Sequence, residues 1–185
     1  MLILCRYAIE RFTVKMEELL EKASHKGSYA AVTFSKDTIN RLVKFCNDND
    51  IPNRLRSEKF HTTLLYSRKY LPEYEAQGKL DPVWEGKPTE FAVWKTQPKK
   101  DGGEPTRCLV LTYDCKELTD RHDELMGEHE AEYDFDQYHA HITLSYDIGS
   151  MKLKGLQDKI ADIGKIEIVN EYGEDLNLDW SVDAS

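Results

Sequence analysis

The chain has no apolar run near the roughly 20 residues that a membrane-spanning helix needs, so no transmembrane helix is expected. Its opening Met1-Leu2-Ile3-Leu4-Cys5 is apolar, but Arg6 and Glu10 interrupt it before the length of a signal h-region is reached. A cytoplasmic protein is the expectation. Cys-x-x-Cys spacing is also lacking among cysteines 5, 46, 108 and 115, which excludes a zinc knuckle and a thioredoxin-like pair and leaves reduced, packed thiols. Positive charge is in deficit, with 25 Lys and Arg against 34 Asp and Glu and a net charge of −9. A protein that tracks long nucleic acids needs a positive field over many phosphates, so that class is disfavoured. What remains is 40% hydrophobic and 32% charged over 185 residues, the profile of one globular domain with a real core.

Against this background one pattern occurs twice. His61-Thr62-Thr63-Leu64-Leu65-Tyr66 and His141-Ile142-Thr143-Leu144-Ser145-Tyr146 share His, Thr, Leu and Tyr at the same offsets. Six histidines and eleven threonines give about 0.36 His-x-Thr triplets by chance, so a single copy carries little, but the shared Leu and Tyr carry more. The upstream segments correspond as well, Ala30-Ala31-Val32-Thr33-Phe34-Ser35 with Leu109-Val110-Leu111-Thr112-Tyr113-Asp114. Thr33 lies 28 positions before His61 and Thr112 lies 29 before His141. The chain therefore reads as an internal duplication.

Each half reads strand, helix, strand. The first comprises Ser28 to Phe34, a helix with Ser35 as N-cap and Ile39, Leu42, Val43 and Cys46 on one face, and a motif strand from Phe60 to Tyr66. The second comprises Arg107 to Tyr113, Asp114 as N-cap, a helix over about residues 115 to 131, and a motif strand from Ala140 to Tyr146. A linker rich in Pro, Gly and charge is expected from Ser67 to Pro88, with Trp84 as a packed loop residue, followed by a strand over 89 to 96. Lys99 to Glu104 reads as a polar loop. In the tail, a helix with Leu153, Leu156, Ile160 and Ile163 stops at Gly164, before a strand at Ile166 and Ile168 and an acidic segment. Residues 8 to 23 form an amphipathic pattern outside the duplication. The expected fold is α+β: two pseudo-symmetric lobes of antiparallel sheet with helices packed outside and a central groove lined by the two motif strands. The expected division is 1–26 as a helical extension and 27–185 as the bilobal domain.

In a strand, residues i and i+2 share a face, so each motif sets an imidazole beside a hydroxyl, with Leu and Tyr following the same alternation. Two imidazoles across a groove suit phosphodiester cleavage, which needs a base for the attacking oxygen and an acid for the leaving oxygen. Histidine holds either state near neutrality, and Thr63 and Thr143 can donate to the non-bridging phosphate oxygens. No metal or other cofactor is needed. Arg54, Arg56, Lys59, Arg68 and Lys69 face only Glu58 between positions 51 and 70, a local sum of +4 that would draw a small anion or form a solvated basic loop. His122 and His129 sit in a helical stripe and read as structural; His25 reads as solvated; His139 shares the strand face of His141 without a strong zinc spacing.

The paired His-x-Thr strands resemble the 2H phosphoesterase superfamily. The stretches Gly27-Ser28-Tyr29-Ala30-Ala31-Val32-Thr33-Phe34, Leu65-Tyr66-Ser67-Arg68-Lys69 and Glu174-Asp175-Leu176-Asn177-Leu178-Asp179-Trp180 resemble a narrower group, the phage anti-CBASS nucleases. The resemblance runs from about Gly27 to Trp180, and departs in the helix before Gly27 and the longer Lys99 to Glu104 loop. It implies metal-independent cleavage of 3′,5′ linkages in the cyclic di- and trinucleotide signals of bacterial antiviral defence, in the host cytosol if the protein is phage-encoded. It further implies attack by a ribose 2′-hydroxyl through a 2′,3′-cyclic phosphate, catalysis by His61, Thr63, His141 and Thr143, and substrate contacts at Tyr29, Glu174 and Trp180. Trp94 is a further candidate for base stacking, which suits several nucleotide substrates because every base has a π-face. Two alternatives stay open: a 2H phosphoesterase acting on RNA ends or 2′,3′-cyclic phosphates, and a module that sequesters the signal uncut. Which histidine is acid and which base, and the oligomeric state, are not fixed by the sequence.

Overall fold

The structure, a computed structural model, describes residues 26–96, 104–128, 131 and 137–178. The expected helix over 8–23, His25, His129, most of the Lys99 to Glu104 loop and Trp180 lie outside these residues.

Six antiparallel strands form one sheet: β1 (Lys26–Phe34), β2 (Thr62–Ser67), β3 (Gly78–Lys95), β4 (Arg107–Asp114), β5 (His141–Ser145) and β6 (Ile166–Asn177). Their order, β2-β1-β6-β3-β4-β5, is palindromic in role. One motif strand lies at each edge, each beside the first strand of its own unit, and the two halves join where β6 pairs with β3. The two expected lobes are thus halves of a continuous sheet.

The helices are α1 (Lys36–Asp48) and α2 (Lys116–Glu128), 13 residues each. Ser35 caps α1 as expected, its Oγ accepting the Thr38 N–H at 3.2 Å. Asp114 is not the second cap. It ends β4, and the first helical bond runs from Thr119 N–H to the Cys115 carbonyl. This one extra residue between strand and helix accounts for the whole difference between the 28- and 29-residue offsets, since both helices start their motifs from the same distance. Helical geometry tolerates no insertion without rotating the buried face, so the extra residue sits at the junction. Leu42, Phe45 and Cys46 of α1 and Leu118, His122 and Leu125 of α2 are buried, and Phe45 stacks on Phe91 of β3 with centroids 4.9 Å apart.

The expected linker from Ser67 to Pro88 ends eleven residues early, because β3 begins at Gly78. Pro82 and Pro88 read as breakers in sequence, yet each lies at a shift in register, between Lys79 and Trp84 and between Pro88 and Glu90. A bulge is where a strand accepts a residue that cannot donate to the ladder. Trp84 is accordingly a half-buried strand residue opposite Ile168, not a loop residue. Gly86 lies so close to the Tyr113 ring that a Cβ there would meet Cδ2 at 2.5 Å. The tail helix is shorter than expected, a 3-10 helix over Gln157–Ile163 stopped at Gly164 with φ 67°, while the acidic segment continues β6 to Asn177. Cys46, Cys108 and Cys115 are free and buried. Among the described residues no helix is long and apolar enough to cross a membrane.

Candidate active site

The edges of the sheet curl toward each other and bring the motif strands side by side. Thr62 Oγ1 donates to the His141 carbonyl at 2.7 Å, Leu55 N–H donates to the Leu144 carbonyl at 2.9 Å, and Arg54 bridges Ser145. The basic stretch therefore reaches the second motif strand as well as the first.

Both histidines are held in the same way. His61 Nδ1 lies 2.8 Å from the Lys59 carbonyl and His141 Nδ1 lies 2.8 Å from the His139 carbonyl. A carbonyl only accepts, so each Nδ1 carries the proton and each Nε2 is the nitrogen available to exchange one. His139 is exposed and contributes its backbone carbonyl. Burial pushes the His141 pKa below the ordinary histidine value; the bond to the His139 carbonyl opposes this, and the charges of His61 and His139 add to it.

The two threonines face equivalent residues of the neighbouring strands. The Tyr29 hydroxyl lies 3.2 Å from Thr63 Oγ1, and Cys108 lies near Thr143, close enough for the threonine to bear on the ionisation of the thiol. Tyr29 and Cys108 occupy equivalent places in the duplication. Burial pushes the Tyr29 phenol up to about 12, so it stays neutral and can donate. Its cross-strand neighbour on β6 is Glu174, which is exposed, and the cross-strand neighbour of Cys108 on β3 is Trp94. Glu174 and Trp94 are thus counterparts, one on each flank. The Trp94 ring lies edge-on to His141 with centroids 4.5 Å apart and keeps 38% of its surface exposed. Of the residues singled out in the sequence, His61, Thr63, Tyr29 and Glu174 gather in one half and His141, Thr143 and Trp94 in the other.

Four further residues, Thr62, Tyr113, Tyr138 and His122, hold the centre of the site together. Thr62 is fully buried, accepts the Tyr113 hydroxyl at 2.8 Å and passes its own proton to the His141 carbonyl, linking β4, β2 and β5 in one chain of bonds. Tyr138 donates to the Thr63 carbonyl at 2.9 Å and stacks on buried His122, whose Nδ1 lies 2.8 Å from the Leu64 carbonyl. Residues of the second unit thereby hold the backbone of the first motif. Thr62 has Ile142 as its counterpart, so the brace exists on one side only, and a threonine inside a buried strand was the sole sequence cue. Thr62→Val should cost about 1–3 kcal/mol in urea unfolding because the buried Tyr113 hydroxyl loses its acceptor, and adding Tyr113→Phe should recover much of that loss. A Thr62→Val variant as stable as wild type would show the brace to be energetically idle.

The model of the family described as Anti-CBASS protein Acb1 matches residues 26–183. Three phage proteins with that same description resemble the chain. The one from Enterobacteria phage T4 is 36% identical over 161 residues, covering 85% of this chain and 93% of its own length. Those of Salmonella phage S16 and Yersinia phage phiR1-RT are 33% and 30% identical over 159 and 158 residues, each covering 85% of this chain and 93% and 94% of their own lengths.

Proposed function

The chain belongs to the family of Anti-CBASS protein Acb1, and on that premise we propose that it opposes CBASS defence by degrading cyclic oligonucleotide signals, cutting 3′,5′ linkages of cyclic di- and trinucleotides with two histidines. The observation that carries the reading is the paired Nδ1 anchoring, which presents two Nε2 atoms, each with a threonine hydroxyl beside it, from strands joined by a hydrogen bond.

His141 is the base and His61 the acid. A base must be neutral before the reaction, and burial beside Trp94 favours the neutral imidazole of His141 at pH 7. His141 Nε2 takes the proton of a ribose 2′-hydroxyl, whose oxygen attacks phosphorus. The 5′-oxygen leaves with a proton from His61, giving a 2′,3′-cyclic phosphate. Water then opens that ring with the two roles exchanged, leaving a 3′-phosphate. Thr63, positioned by Tyr29, and Thr143 donate to the non-bridging oxygens as negative charge builds on them. Glu174, Trp94 and Trp180 contact the nucleosides.

The test is turnover of a panel of cyclic di- and trinucleotides in EDTA, with products separated by chromatography and a short RNA ending in a 2′,3′-cyclic phosphate as competitor. Cleavage of the cyclic substrates to 3′-phosphate ends in EDTA is expected. Activity lost on chelation and restored by a divalent ion would overturn the two-histidine mechanism, preference for the RNA end would move the substrate class, and recovery of intact ligand after denaturation would make the protein a sponge.

The pH dependence of kcat/KM should be bell-shaped, with limbs belonging to the coupled pair. A depressed base stays neutral to lower pH, so the acid limb should fall below the ordinary histidine value of about 6.5. An acid limb above that value would reverse the assignment of base and acid.

A further inference from the structure

In each unit the pairing with the neighbouring strand slips by one residue at the same place. Tyr29 pairs with Tyr66 and Ala30 with Leu65, but Ala31 pairs with Thr63, so Leu64 is passed over. In the second unit Leu109 pairs with Ser145 and Val110 with Thr143, so Leu144 is passed over. Paired residues share a face of the sheet, and so do Tyr29 and Ala31. Thr63 and Tyr66 therefore point the same way although three residues apart, which regular alternation forbids and a bulge permits. The same holds for Thr143 and Tyr146, because Ser145 faces the core with Leu109. This corrects the simple alternation expected for the motif. Each bulge turns the motif's tyrosine onto the face that carries the histidine and threonine.

The two tyrosines are counterparts in the duplication, and both are left open, with 44% of Tyr66 and 53% of Tyr146 exposed. Tyr66 leans edge-on against Tyr29 with centroids 6.5 Å apart, and Tyr29 makes the same contact with His61 at 6.5 Å. Tyr146 lies near both Cys108 and Tyr29. Two open aromatic rings thus flank the two histidines, one supplied by each half.

We propose that Tyr66 and Tyr146 are paired nucleobase platforms, each receiving one base of a cyclic dinucleotide whose phosphate lies between His61 and His141. The inference rests on the cyclic-oligonucleotide reading above. Such a ligand carries one base on each side of the phosphate, as the site carries one open ring on each side of the histidine pair, and an open phenol ring offers a π-face that accepts any base. The bulges give a physical reason why the motif extends to its sixth residue: without them the tyrosines would not face the site.

The experiment measures binding of 3′,3′-cyclic GMP–AMP by calorimetry in a His61→Ala background, and turnover in the wild-type background, for Tyr66→Ala, Tyr146→Ala, the double variant and the two Tyr→Phe variants. Each Ala variant should raise Kd and KM by about five- to a hundred-fold with kcat changed by less than about three-fold, and Phe should restore binding. Kd unchanged in the double Ala variant, or no binding of the dinucleotide at all, overturns the pair. Equal losses in Phe and Ala variants also overturn it, since stacking needs only the ring. If the dinucleotide binds, the Ala variants lose it and wild type fails to cut it, the platforms stand and the catalytic reading falls.

Discussion

His61→Ala and His141→Ala should each lower kcat for a cyclic dinucleotide by about 10²- to 10⁴-fold, the range supplied by one positioned acid or base. KM should move little, because each ring is fixed by its own Nδ1 bond to a carbonyl two residues back and its removal leaves the threonines, Tyr29 and Trp94 in place. The double variant should lose far less than the product of the two single losses, since acid and base act in one concerted transfer. Product formation resolved by chromatography, alongside calorimetric binding, checks both statements. A single variant retaining near-normal kcat would remove that histidine from the reaction, and a raised Kd with unchanged kcat would make it a binding residue.

Glu171→Ala should be the most damaging substitution for stability. Glu171 is 1% exposed in β6 and accepts from Arg121 Nε at 3.2 Å, Arg121 Nη2 at 3.1 Å and the Tyr74 hydroxyl at 2.8 Å. Arg121 belongs to α2 and is itself buried, with Glu124 at 2.9 Å as a second ionic partner and the Glu75 carbonyl as an acceptor. Removing one member of a buried ion pair leaves a desolvated charge behind, at a cost of about 3–5 kcal/mol. For a chain of this size that corresponds to about 6–20 °C in Tm. Thermal unfolding followed by circular dichroism is the measurement, and a loss under about 1 kcal/mol would show that water or Glu124 compensates Arg121. The network ties the segment between β2 and β3, α2 of the second unit and β6 into one block, so its loss should loosen the relation between the two histidine strands as well.

The duplicated strand, helix and strand were legible because each has a local signature: the apolar and aromatic content of Ser28 to Phe34, the spacing of Leu42, Val43 and Cys46, and the repeated His, Thr, Leu and Tyr. The site pairs followed from the same repeat. What escaped was non-local. Thr62 finds its partners 51 and 79 positions away, at Tyr113 and His141, and nothing in its neighbourhood announces them. The long β3 was hidden because Pro82 and Pro88 signal breaks, and only the paired strands β4 and β6 convert those breaks into bulges. Leu64 and Leu144 look like ordinary members of an alternating strand, so the two slips that redirect Tyr66 and Tyr146 carry no mark of their own. The second N-cap failed for a related reason, a single residue added where strand passes into helix.

The position of β6 has a consequence for synthesis. It is the last of the six described strands in sequence, yet it lies between β1 and β3, and its pairing with β3 is the one ladder that joins the halves of the sheet among the described strands. A nascent chain can pair β1 with β2 and β4 with β5 early, but its middle stays open until residues near 177 have left the ribosome. Long-range closure of this kind slows folding, and it exposes two unpaired strand edges meanwhile. On the proposed mechanism the two histidines would form a working pair only once β6 has emerged, so a ribosome-bound fragment ending before Ile166 should carry both motifs and yet be inert.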